Sequence, residues 1–335
     1  MVSKTRALVS VLALFIVVYS SGCTSFGGQA TGSGQGVAID SFESDFQKIY
    51  AGETFKLQMR MTNLGSVDAA NAYPKLYNIA SNTGGNNLEI TCDPTCGQGF
   101  NLLAPNAERG TTGESRICIW NCKAPLNIPK GLSVNFNPSV RLYYWYATHT
   151  IKSINLVSQN ELRSIQSQGK SLPSETVSTS SGPVSLDVVV NGPIRYWEGE
   201  SKVTFPININ IANSGGGVTC ITNDIIVPIP NGLPLLTTGP LAFDYASMTA
   251  GCEKASNWNK VNLYFTPDDT SINLKCNDMG TNAVELWKGQ STTVTCTVEM
   301  PVPTASTGFV QKNLKFSIQY AYFVDSAASV EVIGK

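Results

Sequence analysis

Nine cysteines supply most of the reactive side chains in this 335-residue chain, and their spacing is the first clue to its chemistry. Cys92 and Cys96 are separated by three residues, as are Cys118 and Cys122; Cys220, Cys252, Cys276 and Cys296 follow singly, and Cys23 stands alone near the start. Two close pairs can form a tetrahedral thiolate zinc site, although two intervening residues is the commoner spacing, or they can form disulfides. The compartment decides between these, because thiolates outside the cytoplasm must escape oxidation to hold a metal.

The other residue types offer less. The only histidine, His149, reads as a solvated loop residue, which leaves no base for a histidine-dependent triad. Neither HExxH, GxSxG nor a phosphate-binding glycine loop occurs, and Gly27 to Gly36 has no flanking strand and helix to make it one. The acidic residues Asp40/Asp187 and Glu53/Glu200 read as strand-end and turn residues. Asp268-Asp269 and Asn277-Asp278 do not match a calcium-loop spacing and read as solvated turns. No catalytic residue, metal or cofactor is expected. With 23 basic against 24 acidic residues and a charged fraction of 14%, a nucleic-acid partner is not expected either.

The start of the chain answers the question of compartment. Lys4 and Arg6 precede an uncharged apolar run from Ala7 to Tyr19, and Ser20-Ser21-Gly22-Cys23 follows. This resembles the signal sequences of prokaryotic membrane lipoproteins, in which a small residue precedes the cysteine that is acylated and becomes the mature N-terminus; Ser20 departs from the apolar residue usual there. The run is also short of the roughly 20 residues that span a bilayer. The resemblance implies a lipidated Cys23 and a mature chain held by its N-terminus on the outer face of the membrane. An uncleaved anchor or plain secretion would also put the remainder outside. Eight cysteines then remain, the nine less Cys23, an even number that favours four disulfides.

The mature chain contains one unit twice. An offset of 147 aligns Val37-Ala-Ile-Asp40 with Val184-Ser-Leu-Asp187 and Lys48-Ile-Tyr-Ala-Gly-Glu-Thr54 with Arg195-Tyr-Trp-Glu-Gly-Glu-Ser201; an offset of 150 aligns Asn63 and Gly65 with Asn213 and Gly215. An offset of 176 aligns Tyr144 and Tyr146 with Tyr320 and Tyr322, and Ile154 and Leu156 with Val330 and Val332. Within these blocks apolar residues alternate, as in Phe55-Leu57-Met59-Met61 and Ile207-Ile209-Ile211, so they are half-buried strands. Only Glu161 to Gln166 suggests a short helix. The predicted class is all-β: two tandem antiparallel immunoglobulin-like β-sandwiches with disulfides, after the signal and a glycine-rich tether. The predicted segments are 1–23 signal with lipidation cysteine, 24–36 tether, 37–157 first sandwich, 158–182 linker and 183–335 second sandwich. No sorting motif follows the last strand, Ser329 to Ile333, so the N-terminus is the expected attachment.

The repeat also bears on the cysteines. Val294, Cys296 and Val298 alternate with threonines and mark the buried face, and the offset of 176 puts Cys118, Trp120 and Cys122 on that face. Four residues of extended strand span about 13 Å, too far for a bridge. Cys118 and Cys122 therefore pair with the other segment, and antiparallel neighbours give Cys92–Cys122 and Cys96–Cys118. In the second unit Cys220–Cys252 and Cys276–Cys296 is one of three connectivities. The same alternation sends Tyr143 and Trp145 to the outer side of a strand whose sister copy has Gln319 and Ala321, a candidate aromatic binding platform unless an insert or the linker covers it.

A Gly-Glu turn, an alternating strand and Asn-x-Gly together resemble the N-terminal half of CARDB-like and related immunoglobulin-like modules of archaeal and bacterial surfaces. Both units depart from a minimal module by long inserts, Ser66 to Thr112 and Gly216 to Lys288. The resulting expectation is a lipid-anchored cell-surface protein without catalysis, whose partners are the membrane, through the lipid, and a cell-envelope protein or glycan surface. Its rivals are a filament subunit that lends a strand and an envelope hydrolase with its site in the inserts. Thr24 to Gly36, with only Phe26 and Ala30 apolar, makes a poor donor strand.

Overall fold

In a computed structural model, residues 36–83, 86–221, 245–269, 271–276, 282–303 and 309–335 are described. Cys23, the tether up to Gln35 and Asn277-Asp278 lie outside them. The described chain is all-β, with two immunoglobulin-like sandwiches crosslinked by four disulfides.

The first repeat begins with β1 (Val37–Ser44), β2 (Lys48–Tyr50), β3 (Thr54–Asn63) and β4 (Ala69–Tyr77), followed by the hairpin β5 (Ala80–Thr83) and β6 (Asn86–Glu89). Next come β7 (Thr91–Pro94), β8 (Phe100–Leu102), β9 (Ser115–Lys123), β10 (Ser133–Phe136) and the 20-residue β11 (Ser139–Ser158). Helix α1 (Gln159–Ser167) and β12 (Val177–Thr179) connect the repeats. The second repeat contains β13 (Val184–Val190), β14 (Ile194–Tyr196), β15 (Lys202–Asn213), β16 (Val218–Cys220), helix α2 (Tyr245–Cys252), β17 (Lys260–Pro267), β18 (Asn273–Cys276), β19 (Ala283–Glu285), β20 (Ser291–Pro301), β21 (Phe309–Ala327) and β22 (Val330–Ile333).

Each repeat builds a four-stranded outer sheet, in the order β1-β3-β9-β7 and β13-β15-β20-β18. Alternation dictates their faces. Phe55, Leu57, Met59 and Met61 in β3, and Phe205, Ile207, Ile209 and Ile211 in β15, are buried between polar neighbours that are mostly exposed. On β9 the inward residues are Cys118, Trp120 and Cys122, as expected from the repeat.

The two inner layers merge. β11 and β21 pair antiparallel from Ser139↔Ala327 to Val157↔Phe309, in a nine-stranded sheet that serves both sandwiches. One continuous hydrophobic cluster contains core residues of both repeats. The final strands are exchanged as well: β22 lies between β10 and β2 of the first repeat, antiparallel to one and parallel to the other, while the end of β11 pairs in parallel with β14 of the second. The expected boundary at 157/183 therefore divides the sequence repeat, but the sheets cross it. The intervening segment is more than a spacer, because β12 pairs with β11 at Thr150↔Thr179 and Glu175 sits 3.5 Å from Lys152.

Conserved spacing within the repeats now has physical reasons. Asn63 donates to Val67 O and Leu102 O and accepts from Gly65 N; Asn213 donates to Gly217 O and Gly289 O and accepts from Gly215 N. Both asparagines thus stitch a turn to a neighbouring strand. A Cβ on Gly113 would lie 1.7 Å from Asn63 O, so only glycine fits there. In the Gly-Glu turns, Gly52 and Gly199 have φ +82° and +93°, and Glu53 and Glu200 accept from the N–H groups of Tyr50 and Trp197. Those carboxylates close turns, the role read for them in the sequence.

Four tyrosines join the layers. Tyr144 and Tyr320 accept from Val37 N and Val184 N, and Tyr146 and Tyr322 accept from Val67 N and Gly217 N. Every pair is related by the repeat offsets, and the rings meet at the centre, with Tyr144–Tyr322 at 5.6 Å and Tyr146–Tyr320 at 6.2 Å. Burial pushes the Tyr146 and Tyr322 phenols up to about 12 and those of Tyr144 and Tyr320 well above their ordinary value.

Candidate functional site

The cysteines expected to form bridges all do so. Cys92–Cys122, Cys96–Cys118, Cys220–Cys252 and Cys276–Cys296 are disulfides, so the thiolate zinc alternative for the first unit does not apply. The strand-face argument holds because Cys92↔Cys122 and Cys276↔Cys296 are direct cross-strand neighbours. Four disulfides fit an oxidising, extracytoplasmic environment. Among the described residues, no group of three or more His, Cys, Asp or Glu side chains could hold a metal ion, and no helix is long and apolar enough to cross a membrane.

Tyr143 and Trp145 do not form a solvent-facing platform. They leave the first core on the outer face of β11, as the alternation requires, but are only 2% and 8% exposed. The second repeat's insert covers them: they cluster with Cys220, Met248, Cys252, Ala321 and Phe323 under α2, which the Cys220–Cys252 bridge fastens to the sheet. Tyr245 of α2 packs on Tyr73 at 4.7 Å, and Glu253 just beyond the helix pairs with Lys75. Helix α2 itself went unforeseen, since Tyr-Ala-Ser-Met-Thr-Ala-Gly-Cys has no polar and apolar sides to read.

His149 is not a loop residue either. It lies within β11, opposite Ser317, with its backbone N–H bonded to Ser180 Oγ at 2.8 Å, and burial lowers its imidazole pKa. Its repeat counterpart Asp325 makes a two-pronged ion pair with Arg141, both contacts at 2.7 Å. In the second insert, Asp268 pairs with Lys315 at 2.6 Å and Asp269 caps the turn at Ser271.

Among the described residues, a group of exposed polar side chains that can meet a ligand lies elsewhere, on the outer sheet of the first repeat. Register places Thr54, Lys123 and Thr91 in one row across β3, β9 and β7, and Lys56, Asn121 and Asp93 in the next. All six are exposed. With Asp45, held beside them by Lys56 N–H donating to its carboxylate at 2.8 Å, they line a cleft of ≈ 510 Å³, within the range of ligand sites. The floor is Phe55 and the Cys92–Cys122 bridge, which locks β7 to β9 under the site.

Sister positions are occupied differently. There Pro206 replaces Lys56 and Glu299 replaces Lys123; Glu299 is tied to Lys202, whose hydrogen bond and charge hold its carboxyl below the usual range. Farther along that face Thr293 donates to Asn210 at 2.9 Å and Thr295 to Asn208 at 3.0 Å. The first outer face makes similar lateral contacts away from the cleft, where Thr62 Oγ1 lies 2.6 Å from Asp40 Oδ2 and 2.6 Å from Ser115 Oγ. In the first repeat, Lys56, Lys123, Asp93 and Asn121 have no side-chain partner among the described residues. Sequence reading missed this cleft because period two marks these positions only as outward.

No protein-family model and no curated protein matches the chain. Among solved structures it is similar to a protein of unknown function from Porphyromonas gingivalis W83, with 8% identity, TM-score 0.19, and coverage of 79% of this chain and 83% of that one. The secreted serine protease VesC from Vibrio cholerae gives 10% identity and TM-score 0.19 over 87% and 50%, and the CupB6 tip adhesin from Pseudomonas aeruginosa 9% and 0.17 over 90% and 96%. At these scores none of the likenesses bears on function.

Proposed function

We propose that the protein is a lipid-anchored, extracytoplasmic binding protein built from CARDB-like modules, acylated at Cys23. It acts without catalysis by holding a component of the cell envelope, protein or glycan, in the cleft of the first sandwich. The observation that carries this reading is the cleft itself: seven polar side chains stand around it, and four of them, Lys56, Lys123, Asp93 and Asn121, have no side-chain partner among the described residues, whereas the sister of Lys123 is Glu299, tied to Lys202. Leaving charged groups unpaired on a folded surface gives the fold little, since exposed pairs are worth only about 0–1 kcal/mol, and it leaves them available to a ligand.

Two measurements test it. Mass spectrometry of the mature N-terminus should find an acylated Cys23, and an unmodified terminus at another residue would remove the lipid anchor. Capture of envelope material by the full-length protein should fall when Lys56→Ala, Asp93→Asn and Asn121→Ala are combined. Capture that is undiminished in a folded triple variant would remove the cleft.

A further inference from the structure

The composition of the cleft points to a ligand class. Resting on the binding reading above, we infer that it takes a neutral, hydroxyl-rich saccharide lying across β3, β9 and β7. Lys56 and Lys123 bring two positive charges and Asp45 and Asp93 two negative ones, so the charged set sums to zero. A ligand of strong net charge would meet repulsion from one half of the set for every attraction gained from the other. The remaining lining groups, Thr54, Thr91 and Asn121, each donate and accept. Ammonium groups only donate and carboxylates only accept, so the cleft alternates both roles within one small area. A sugar hydroxyl does both at one atom, and neighbouring hydroxyls can bridge a carboxylate and an amide.

Among the residues that line the cleft, no apolar side chain is exposed. Phe55 is 3% exposed and lies beneath the strands, and the sulfurs are bridged. A lipid tail or an aromatic peptide anchor would find little area to bury there. The geometry suits an extended chain: neighbouring strands lie about 4.8 Å apart, close to the length of one pyranose residue, so each of the three strands meets a successive sugar with polar side chains of its own. The disulfide under β7 and β9 keeps that spacing fixed before the ligand arrives, which reduces the ordering cost of binding.

The test uses the full-length protein in detergent micelles and neutral tetrasaccharides as probes: cellotetraose, maltotetraose and chitotetraose. Affinity is measured by calorimetry and contact by saturation-transfer NMR. At least one probe should bind, and Asp93→Asn or the pair Lys56→Ala with Asn121→Ala should weaken it about tenfold or more, the factor expected for a lost charge-assisted hydrogen bond. Thr204→Ala with Lys275→Ala on the sister face should leave affinity unchanged. Asp93→Asn preserves shape, so its result stands even if the alanine pair folds poorly. Failure of all three probes to bind overturns the saccharide assignment, as does binding that ignores the cleft variants. If the probes fail while those variants still abolish capture of envelope material, the ligand is of another class and the binding role survives. If the variants affect neither, both readings fall.

Discussion

Trp145 and Ala321 are partners twice over: they face each other across the β11–β21 ladder, and they are 176 residues apart, the interval that relates Tyr144 to Tyr320. A pseudo-twofold axis therefore passes through this pair. The one position where the repeats meet themselves holds a large ring against a methyl group, both buried beneath α2. An axis residue packs against its own counterpart, so its size cannot be compensated elsewhere.

Trp145→Ala should accordingly destabilise the protein by about 3–5 kcal/mol, the cost of deleting a buried aromatic ring. Ala321→Leu should cost about 1–3 kcal/mol by overpacking the same layer. Chemical denaturation measures both, and a loss under about 0.5 kcal/mol for Trp145→Ala would mean that this face is solvated.

The exchange of final strands makes the first sandwich depend on the last residues. Deleting Val330–Lys335 removes the partner of both β2 and β10, together with the fully buried Val330 and Val332. Hydrogen exchange should show protection lost first at Lys48–Tyr50 and Ser133–Phe136, with Ile194–Tyr196 retaining its pairing to β11. Loss confined to the second repeat would contradict the exchange.

Replacing Cys220 and Cys252 by alanine frees α2 from the central sheet. We expect a loss of about 2–5 kcal/mol, with dye binding to the uncovered Tyr143, Trp145 and Phe323. The bridges of the first repeat should be untouched in peptide maps.

Alkaline pH should unfold the protein through its central tyrosines. Their folded pKa values are raised above the ordinary value near 10, so the neutral phenol is the form the fold prefers. Below about pH 10 both folded and unfolded states keep the proton and the stabilisation is fully present. As pH rises from about 10 through about 12 the unfolded chain ionises first, and each tyrosine removes about 1.4 kcal/mol per pH unit. Tyr146→Phe with Tyr322→Phe should flatten that slope while costing stability at neutral pH, because Val67 N and Gly217 N lose their acceptors. An unchanged slope in the double variant would assign the alkaline transition to other groups.

Much of this molecule was legible before folding was considered. Alternation at Phe55 to Met61 and at Ile207 to Ile211 states which side of each strand meets its own core, and the repeat carries that information from Val294–Val298 to Cys118–Cys122, fixing two bridges. Those properties are local or depend on the registry of neighbouring strands. The sequence by itself determined the class, the faces and the pairing of the first four bridging cysteines. Tertiary structure alone decided what lies on the far side of each face. Nothing local to Tyr143 and Trp145 reports that a helix a hundred residues later covers them, nor that β22 completes the first repeat rather than its own. Outward positions carry no signal for their eventual neighbours, because burial by a distant segment depends on how the whole chain packs. For the same reason the seven polar residues of the cleft became distinguishable from other outward residues only when the register of β3, β9 and β7 brought them around one cleft.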